Sequence, residues 1–357
     1  MPAQGPSSTW NIDAVRSRAA MSLVYEAIGE DLDWGDVLIA HLDTGYTNHT
    51  VFNLDSNRPA VLVGRGRNYM DPNKSEPIDP LNYAGGLAIV PGHGTRTLGV
   101  LCANLGGTYT GVCPTVPVVP YRVSNGVMLS GPRITNVAKA IMDAIDRNGA
   151  KVISISLGVQ SVFGNVDEMH ELGRAVDHAY EKGVIICGAA GQTEGPPQLV
   201  GFTVYPGRYS RCILVGGINA KRRICFDYEV GRTYIDTWAP ADDIWRPNSV
   251  NGLPQPFTEV SGDGDGTSYA TVHVSGTAAM WLRVRRQELD DGGYVGWQRV
   301  EAFRALLRKT FQTLAGNDVR NKPLTTSGIL DCVAMLEAKL PKLSTLKKAT
   351  RAEPEVD

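Results

Sequence analysis

Short apolar runs alternate along this chain with segments whose apolar residues recur at helical spacing, and few folds can accommodate that alternation. Val37–Leu42, Val116–Val123, Lys151–Ser156, Val184–Cys187 and Cys212–Gly216 read as strands. Several are apolar nearly throughout rather than at every second residue, the pattern of strands covered on both faces. Between them, Ile134–Arg147 places apolar residues at 134, 137, 138, 141, 144 and 145, and Val166–Glu181 is a second helix candidate. Strands separated by helices predict a doubly wound α/β fold, with a mostly parallel central sheet and helices on both faces. In such sheets chemistry gathers at the carboxyl ends of the strands. Beyond Ser268 the pattern is helical, over Thr271–Arg286, Trp297–Leu314 and Gly328–Ala338. The expected organisation is an N-terminal extension with an opening helix over 1–36, one domain over 37–338, and a loose charged tail over 339–357.

Composition excludes several classes. With a net charge of -2, 43% hydrophobic and 20% charged residues, the chain offers no electrostatic footprint for nucleic acid or an anionic membrane. The uncharged stretch Thr97–Tyr121 carries Pro114, Pro117 and Pro120 among glycines, so it is not a membrane span. The first ten residues lack the apolar core of a secretory signal, and a cytoplasmic location is the expectation. The six cysteines form no C-x-x-C pair, which argues against a zinc site or a disulfide scaffold and for buried free thiols. Cys102 and Cys113 are the nearest pair should a disulfide exist.

Three short segments carry nucleophile, base and acid candidates. In Gly266–Met280 a serine, Ser268, sits among small residues where a loop gives way to a helix-forming run. A helix start leaves N–H groups unpaired and favours negative charge beside that hydroxyl. Taken alone, the segment is as well explained by an N-cap. Val37–Gly45 is an apolar strand ending in Asp43-Thr-Gly45, and Gly92–Thr95 sets His93 between glycines before an apolar helical run. An aspartate at a strand end is often only a turn former, and a single loop histidine is often structural. Aspartic proteases need two facing D-T-G aspartates, and this chain has one D-T-G. Chain order decides among the serine-hydrolase arrangements. Histidines stand at 41, 49, 93, 170, 178 and 273; a Ser…Asp…His order would need His273, inside the serine's own helix. A His…Asp…Ser order would need His41 or His49, neither in a suitable loop. Asp43…His93…Ser268 places every member at a strand end or helix start.

That order, with Asp43-Thr-Gly45, His93-Gly-Thr95, Ser154–Gly158, Ala189-Ala-Gly-Gln192, Tyr205–Tyr209, Ala239-Pro240 and Gly266–Ala270, resembles the subtilisin-like serine proteases, the subtilase family. The resemblance spans about Val37 to Ala338 and implies the family's three-layer fold. It also implies a serine endopeptidase working through an acyl-enzyme, with Ser268 as nucleophile, His93 as general base and acid, and Asp43 orienting the imidazole. The implied substrate is a peptide or protein. Ser156, Leu157 and Gly158 match the family's edge segment, which pairs with an extended substrate, and Ser124–Ser130 would supply the opposite rail. Ala189, Ala190 and Val204 would floor the pocket for the residue before the scissile bond. Val204 stands where glycine is frequent, implying a shallower pocket and small or medium side chains. The resemblance requires no cofactor and no catalytic metal; it leaves a structural calcium open, and Asp263-Gly-Asp-Gly266 reads better as a flexible acidic turn.

The departures are specific. Gln192 replaces the family's oxyanion-hole asparagine, offering the same amide on a longer stem. Arg96 and Thr97 stand where His-Val is frequent, and Val272 replaces a proline. The span from Asp43 to His93 is long, and the excess is assigned to Arg65–Pro77, read as a polar loop near the cleft. These changes leave open a processing protease or peptide cyclase for one cognate substrate, or a catalytically silent fold that serves as a binding module.

Overall fold

The computed structural model describes residues 6–83, 88–160, 164–192, 204–226, 234–318, 324–325 and 327–352. The apolar runs form a parallel sheet: β1 (Ile39–Asp43), β2 (Arg67–Asn68), β3 (Val118–Arg122), β4 (Val152–Ile155), β5 (Ile185–Ala189), β6 (Ile213–Ile218), β7 (Arg223–Ile224), β8 (Thr237–Pro240) and β11 (Gly316–Asn317). This nine-stranded sheet runs β11-β7-β6-β5-β4-β1-β3-β2, with β8 also beside β6. Every pairing is parallel except β6 with β7. A separate antiparallel pair, β9 (Ile244–Pro247) and β10 (Val260–Gly264), lies outside the sheet.

Alternate side chains enter opposite layers, as a pleated strand requires. In β1, Ile39 joins one apolar core, while Ala40 and Leu42 join the other. Helices α4 (Pro132–Asp146) and α5 (Val166–Glu181) cover the second core. The first core contains α2 (Ser17–Ile28), α3 (His93–Cys102), α6 (Thr267–Val284), α8 (Trp297–Leu307) and α9 (Cys332–Glu337). The N-terminal helices α1 (Trp10–Ala14) and α2 are part of this body. Trp10 Nε1 donates to the Asp243 carbonyl at 2.9 Å, and Trp10, Met21 and Val24 are buried. A short helix, α7 (Arg286–Asp291), follows α6.

Helix α6 is buried on nearly every side, although it contains Thr271, His273, Ser275 and Thr277. The polar groups are satisfied within the helix: Thr271, Ser275 and Thr277 hydroxyls donate to carbonyls four residues back. His273 Nδ1 donates to the Tyr269 carbonyl at 2.7 Å, which leaves Nε2 to accept from Asn11 Nδ2 at 3.1 Å. The six cysteines are free, and all but Cys225 are buried.

Several expectations need correction. The helix expected over Trp297–Leu314 ends at Leu307, because Gln312 leaves it to pair with Ile329 in an antiparallel bridge. The stretch read as a loose tail from 339 is seated on the body as far as residue 352; residues 353–357 lie outside the described residues. Leu340, Leu343, Leu346 and Ala349 pack against the first core and Ala352 against the second. Lys348 pairs with Glu181 at 2.8 Å, and the Ala352 N–H donates to Asp177 at 2.8 Å. Arg65–Pro77 does not border the cleft. It supplies β2 on the sheet edge, where Arg67 pairs with Asp143 at 2.9 Å and Arg65 Nε donates to Asn148 at 3.1 Å.

Burial pushes both His41 and His273 down to about 4, opposed by the Asp43 charge in the first case and by the Tyr269 carbonyl in the second. Their unfolded value is near 6.5, so between about pH 4 and 6.5 the unfolded chain binds more protons and stability is lost as the pH is lowered through that window. Denaturant titrations at pH 7.5 and 5 should differ by on the order of 2 kcal/mol per histidine. His273→Gln should remove its share of that slope, and an unchanged slope would show that His273 does not titrate with unfolding.

Candidate active site

Asp43 is the last residue of β1, at the carboxyl edge of the central strand of three. His93 opens α3, after Gly92 in a left-handed conformation. Ser268 lies in the first turn of α6, after Gly266 at φ +144°, a conformation that favours glycine. The strand end and the two helix starts bring the three side chains into one line. His93 Nδ1 lies 2.7 Å from Asp43 Oδ1, and His93 Nε2 lies 3.0 Å from Ser268 Oγ.

Asp43 is fully buried. Burial opposes its ionisation, but the facing His93, with smaller contributions from His41 and the Thr44 N–H, holds the carboxyl below its ordinary value. An ionised carboxylate only accepts, so Nδ1 of His93 carries a proton, and in the neutral ring Nε2 is free to accept from Ser268. Ser268 Oγ is also 3.1 Å from the Ser156 carbonyl, and Ser156 Oγ donates to the Ser268 carbonyl at 3.0 Å. Such a line can move a proton from hydroxyl to imidazole and stabilise the resulting cation.

Beside Ser268, the Thr267 N–H donates to Gln192 Oε1 at 3.0 Å. That bond turns the amide oxygen toward the helix and leaves the NH₂ as the group available to the cleft. The Ser268 N–H has no acceptor among the described residues. The cleft around these groups has a volume of about 670 Å³. Ser156, Leu157, Gly158, Ala189, Gln192 and Val204 line it, and so do Val127 and Met128. Ala190 does not: its side chain is fully buried in the first core, because it points the opposite way from Ala189.

A family model, the subtilase family of peptidases, matches residues 35–326. The chain belongs to the subtilase family. Subtilases are serine proteases, and several curated members are similar over most of this chain. The major intracellular serine protease of Bacillus subtilis is 28% identical over 296 residues, 79% of this chain and 80% of that protein. An intracellular serine protease of Paenibacillus polymyxa is 30% identical over 68% of this chain and 66% of its own length. Among solved structures, a protease of Pseudoalteromonas arctica superposes with a TM-score of 0.65 at 22% identity, covering 85% of this chain and 90% of that one. MycP1 lacking its N-terminal propeptide superposes with a TM-score of 0.63 at 20% identity, over 93% and 98% of the two chains. Both structures share the fold.

Within this subtilase, several buried groups that the sequence did not single out hold the line of three in place. The Thr97 hydroxyl lies 3.3 Å from Asp43 Oδ2 and 2.9 Å from His41 Nε2. The His93 and Gly94 carbonyls, at 3.1 and 3.2 Å, are further acceptors for the single Thr97 proton, so Thr97 donates within this group of acceptors and accepts from His41. Asp79, also buried, accepts from Thr44 Oγ1 at 2.7 Å and from the Gly92 N–H at 2.9 Å. Thr44 Oγ1 in turn accepts from the Gly94 N–H at 3.0 Å, which ties the Asp43 turn to the start of α3. No local pattern in the sequence marks Asp79; its bonds to Thr44 and Gly92 are tertiary.

The acidic residues before Ser268 separate. Asp263 pairs with Arg246 at 3.0 Å, whereas Asp265 meets Asp242 and Asp243, with carboxylate oxygens within 4.8 Å. Burial and the neighbouring Asp265 push Asp242 up to about 6.

A Cβ on Gly94 would lie 2.0 Å from the Gly45 carbonyl oxygen. Gly94→Ala must therefore part the Asp43 turn from α3, and misplacing a base by about 1 Å can cost roughly 10²-fold in rate. Fluorophosphonate labelling of Ser268 should slow by at least that order. An unchanged rate would mean that the two turns separate without moving His93.

Proposed function

We propose that this subtilase is a serine endopeptidase that hydrolyses peptide bonds through an acyl-enzyme on Ser268. The reading rests on the unbroken hydrogen-bonded line Asp43–His93–Ser268. His93 takes the hydroxyl proton as Ser268 Oγ attacks the carbonyl, then returns it to the leaving amine; water repeats the sequence to release the acyl half. The tetrahedral oxyanion is held by the Ser268 N–H and the Gln192 NH₂. A helix N-terminus adds favourable potential for that negative charge. The family chemistry calls for no cofactor. Similarity to two intracellular proteases supports a cytoplasmic location, and no described helix is long and apolar enough to cross a membrane.

Ser156–Gly158, Ala189 and Val204 bind the acyl half of the substrate. A Cβ on Gly158 would come within 2.2 Å of Val204 Cγ2, so Val204 packs directly on this edge and restricts the pocket to small or medium side chains.

One observation favours a protease dedicated to a cognate protein over a broad one. The Gly158 N–H donates to the Val127 carbonyl at 3.0 Å, and the Leu129 N–H donates to the Gly158 carbonyl at 2.7 Å. The two rails expected to flank a substrate are thus bonded to each other, and an extended peptide must displace one of them.

Fluorophosphonate labelling tests the central claim: it should be complete in the native chain and absent in Ser268→Ala, and failure to label the folded native protein refutes it. Gln192→Ala should lower kcat by roughly 10²–10³-fold with little change in KM; unchanged turnover would remove Gln192 from the oxyanion hole. Val204→Gly should shift cleavage toward larger residues before the scissile bond. Product analysis of a mixed peptide library reads that shift, and cleavage at few sites by the native enzyme would support the dedicated reading.

A further inference from the structure

The cleft has a second arm whose chemistry is unlike the first. Arg96, Arg246, Asp263, Asp265 and Tyr269 line it alongside His93 and Ser268. Arg96 follows His93 by three positions on α3, so the two side chains share a helix face with Cβ atoms about 5–6 Å apart. The leaving amine collects its proton from His93 Nε2. The polypeptide beyond the scissile bond therefore starts beside His93, and Arg96 borders its path.

The charges in this arm are not equivalent. Arg246 is paired with Asp263 at 3.0 Å, and Asp263 also accepts from the Ser261 hydroxyl. Asp265 accepts from the Asp243 N–H at 3.1 Å and is exposed, where solvent screens it. Arg96 donates from Nη2 to the Pro91 carbonyl at 2.9 Å, and no carboxylate lies within ion-pairing distance of it among the described residues. Its guanidinium is half-buried. Burial lowers its pKa, Arg246 adds repulsion, and Tyr269, Asp43 and Asp79 offset this only in part. A desolvated guanidinium with unused donors is a receptor for a planar anion, and a carboxylate matches its fork.

We infer that Arg96 selects substrates with an acidic side chain within the first two residues after the scissile bond. The substrate class is then an acidic segment on the amine side, with a small or medium residue on the acyl side. This inference rests on the serine-endopeptidase reading and extends it to the other half of the substrate.

The test uses internally quenched peptides identical except for Glu, Gln or Lys at the first or second position after the cleaved bond, with mass spectrometry confirming the same cut. In the native enzyme, kcat/KM for the better-placed Glu peptide should exceed that for Lys by about tenfold or more, a ratio that falls as salt rises from about 10 mM to about 0.5 M. Arg96→Gln should bring the ratio to about one, Arg96→Glu should reverse it, and Arg96→Lys should keep its direction. The ratio is read within each variant, so it does not depend on how much activity survives; labelling of Ser268 reports that each variant is folded. Equal cleavage of Glu and Lys peptides by the native enzyme overturns the inference, as does a ratio that persists in Arg96→Gln. Labelled Ser268 without acid preference sinks the Arg96 assignment alone, whereas a folded native protein with neither labelling nor hydrolysis sinks both readings.

Discussion

The structure is organised around one buried carboxylate. Asp43 lies at the carboxyl end of a strand with parallel neighbours on both sides, and none of its surface reaches solvent. An ion there is tolerable only with several partners, because desolvation costs several kcal/mol. Its partners come from two other segments of the chain: Thr44 from the following turn, and His93 and Thr97 from α3. Meeting that demand fixes the rotation and depth of α3. It does so more tightly than apolar packing could, because hydrogen bonds are directional. The imidazole is therefore oriented by the requirement that stabilises the strand end.

Ser268 is positioned differently. Helix α6 contacts β4, β5, β6 and β8 on the sheet side and α2, α3 and α9 on the other, so it has no solvent face along which to slide. Thr271, Ser275 and Thr277 bond to carbonyls within the helix, and Asn11 completes His273. A rigid helix end and a rigid strand end meet at Ser268. Gln192 and Ser156 join the first turn of α6 to the ends of β5 and β4. Function thus sits where three independently stabilised elements terminate, which limits the motion available to the reacting groups.

Much of this was legible in the sequence because it is local. Both-face burial makes the strands apolar in succession, and Ile134–Arg147 shows its helix through simple periodicity. Asp43, His93 and Ser268 were legible through short motifs in a restrictive order. What was missed depends on tertiary paths. Ala190 was placed in the pocket by its neighbourhood in a motif, whereas just beyond the end of β5 its side chain turns into the first core and only Ala189 faces the cleft. The tail was read as loose because its composition is polar. Its apolar residues recur at 340, 343, 346, 349 and 352, a period of three that matches neither α-helix nor strand. Leu343–Thr345 is a 3₁₀ turn and the flanking Lys342 and Leu346 are in the polyproline II region; both conformations turn in three residues, which keeps one edge on the body.

The pairing of Gly158 with Val127 and Leu129 has a consequence for how selectivity arises. A substrate backbone that replaces one rail exchanges hydrogen bonds already made for equivalent new ones, so the net gain from main-chain pairing is small. That pairing is also the part of recognition that every peptide shares. When it contributes little, discrimination falls on side-chain contacts, which on the acyl side means the restricted space at Val204. On the amine side the proposed contact is the Arg96 guanidinium, which donates to the Pro91 carbonyl but has no carboxylate partner among the described residues, so a mismatched side chain leaves its charge without one. Contacts of that kind separate substrates more sharply than apolar fit alone, because the penalty for a wrong partner adds to the loss of a right one.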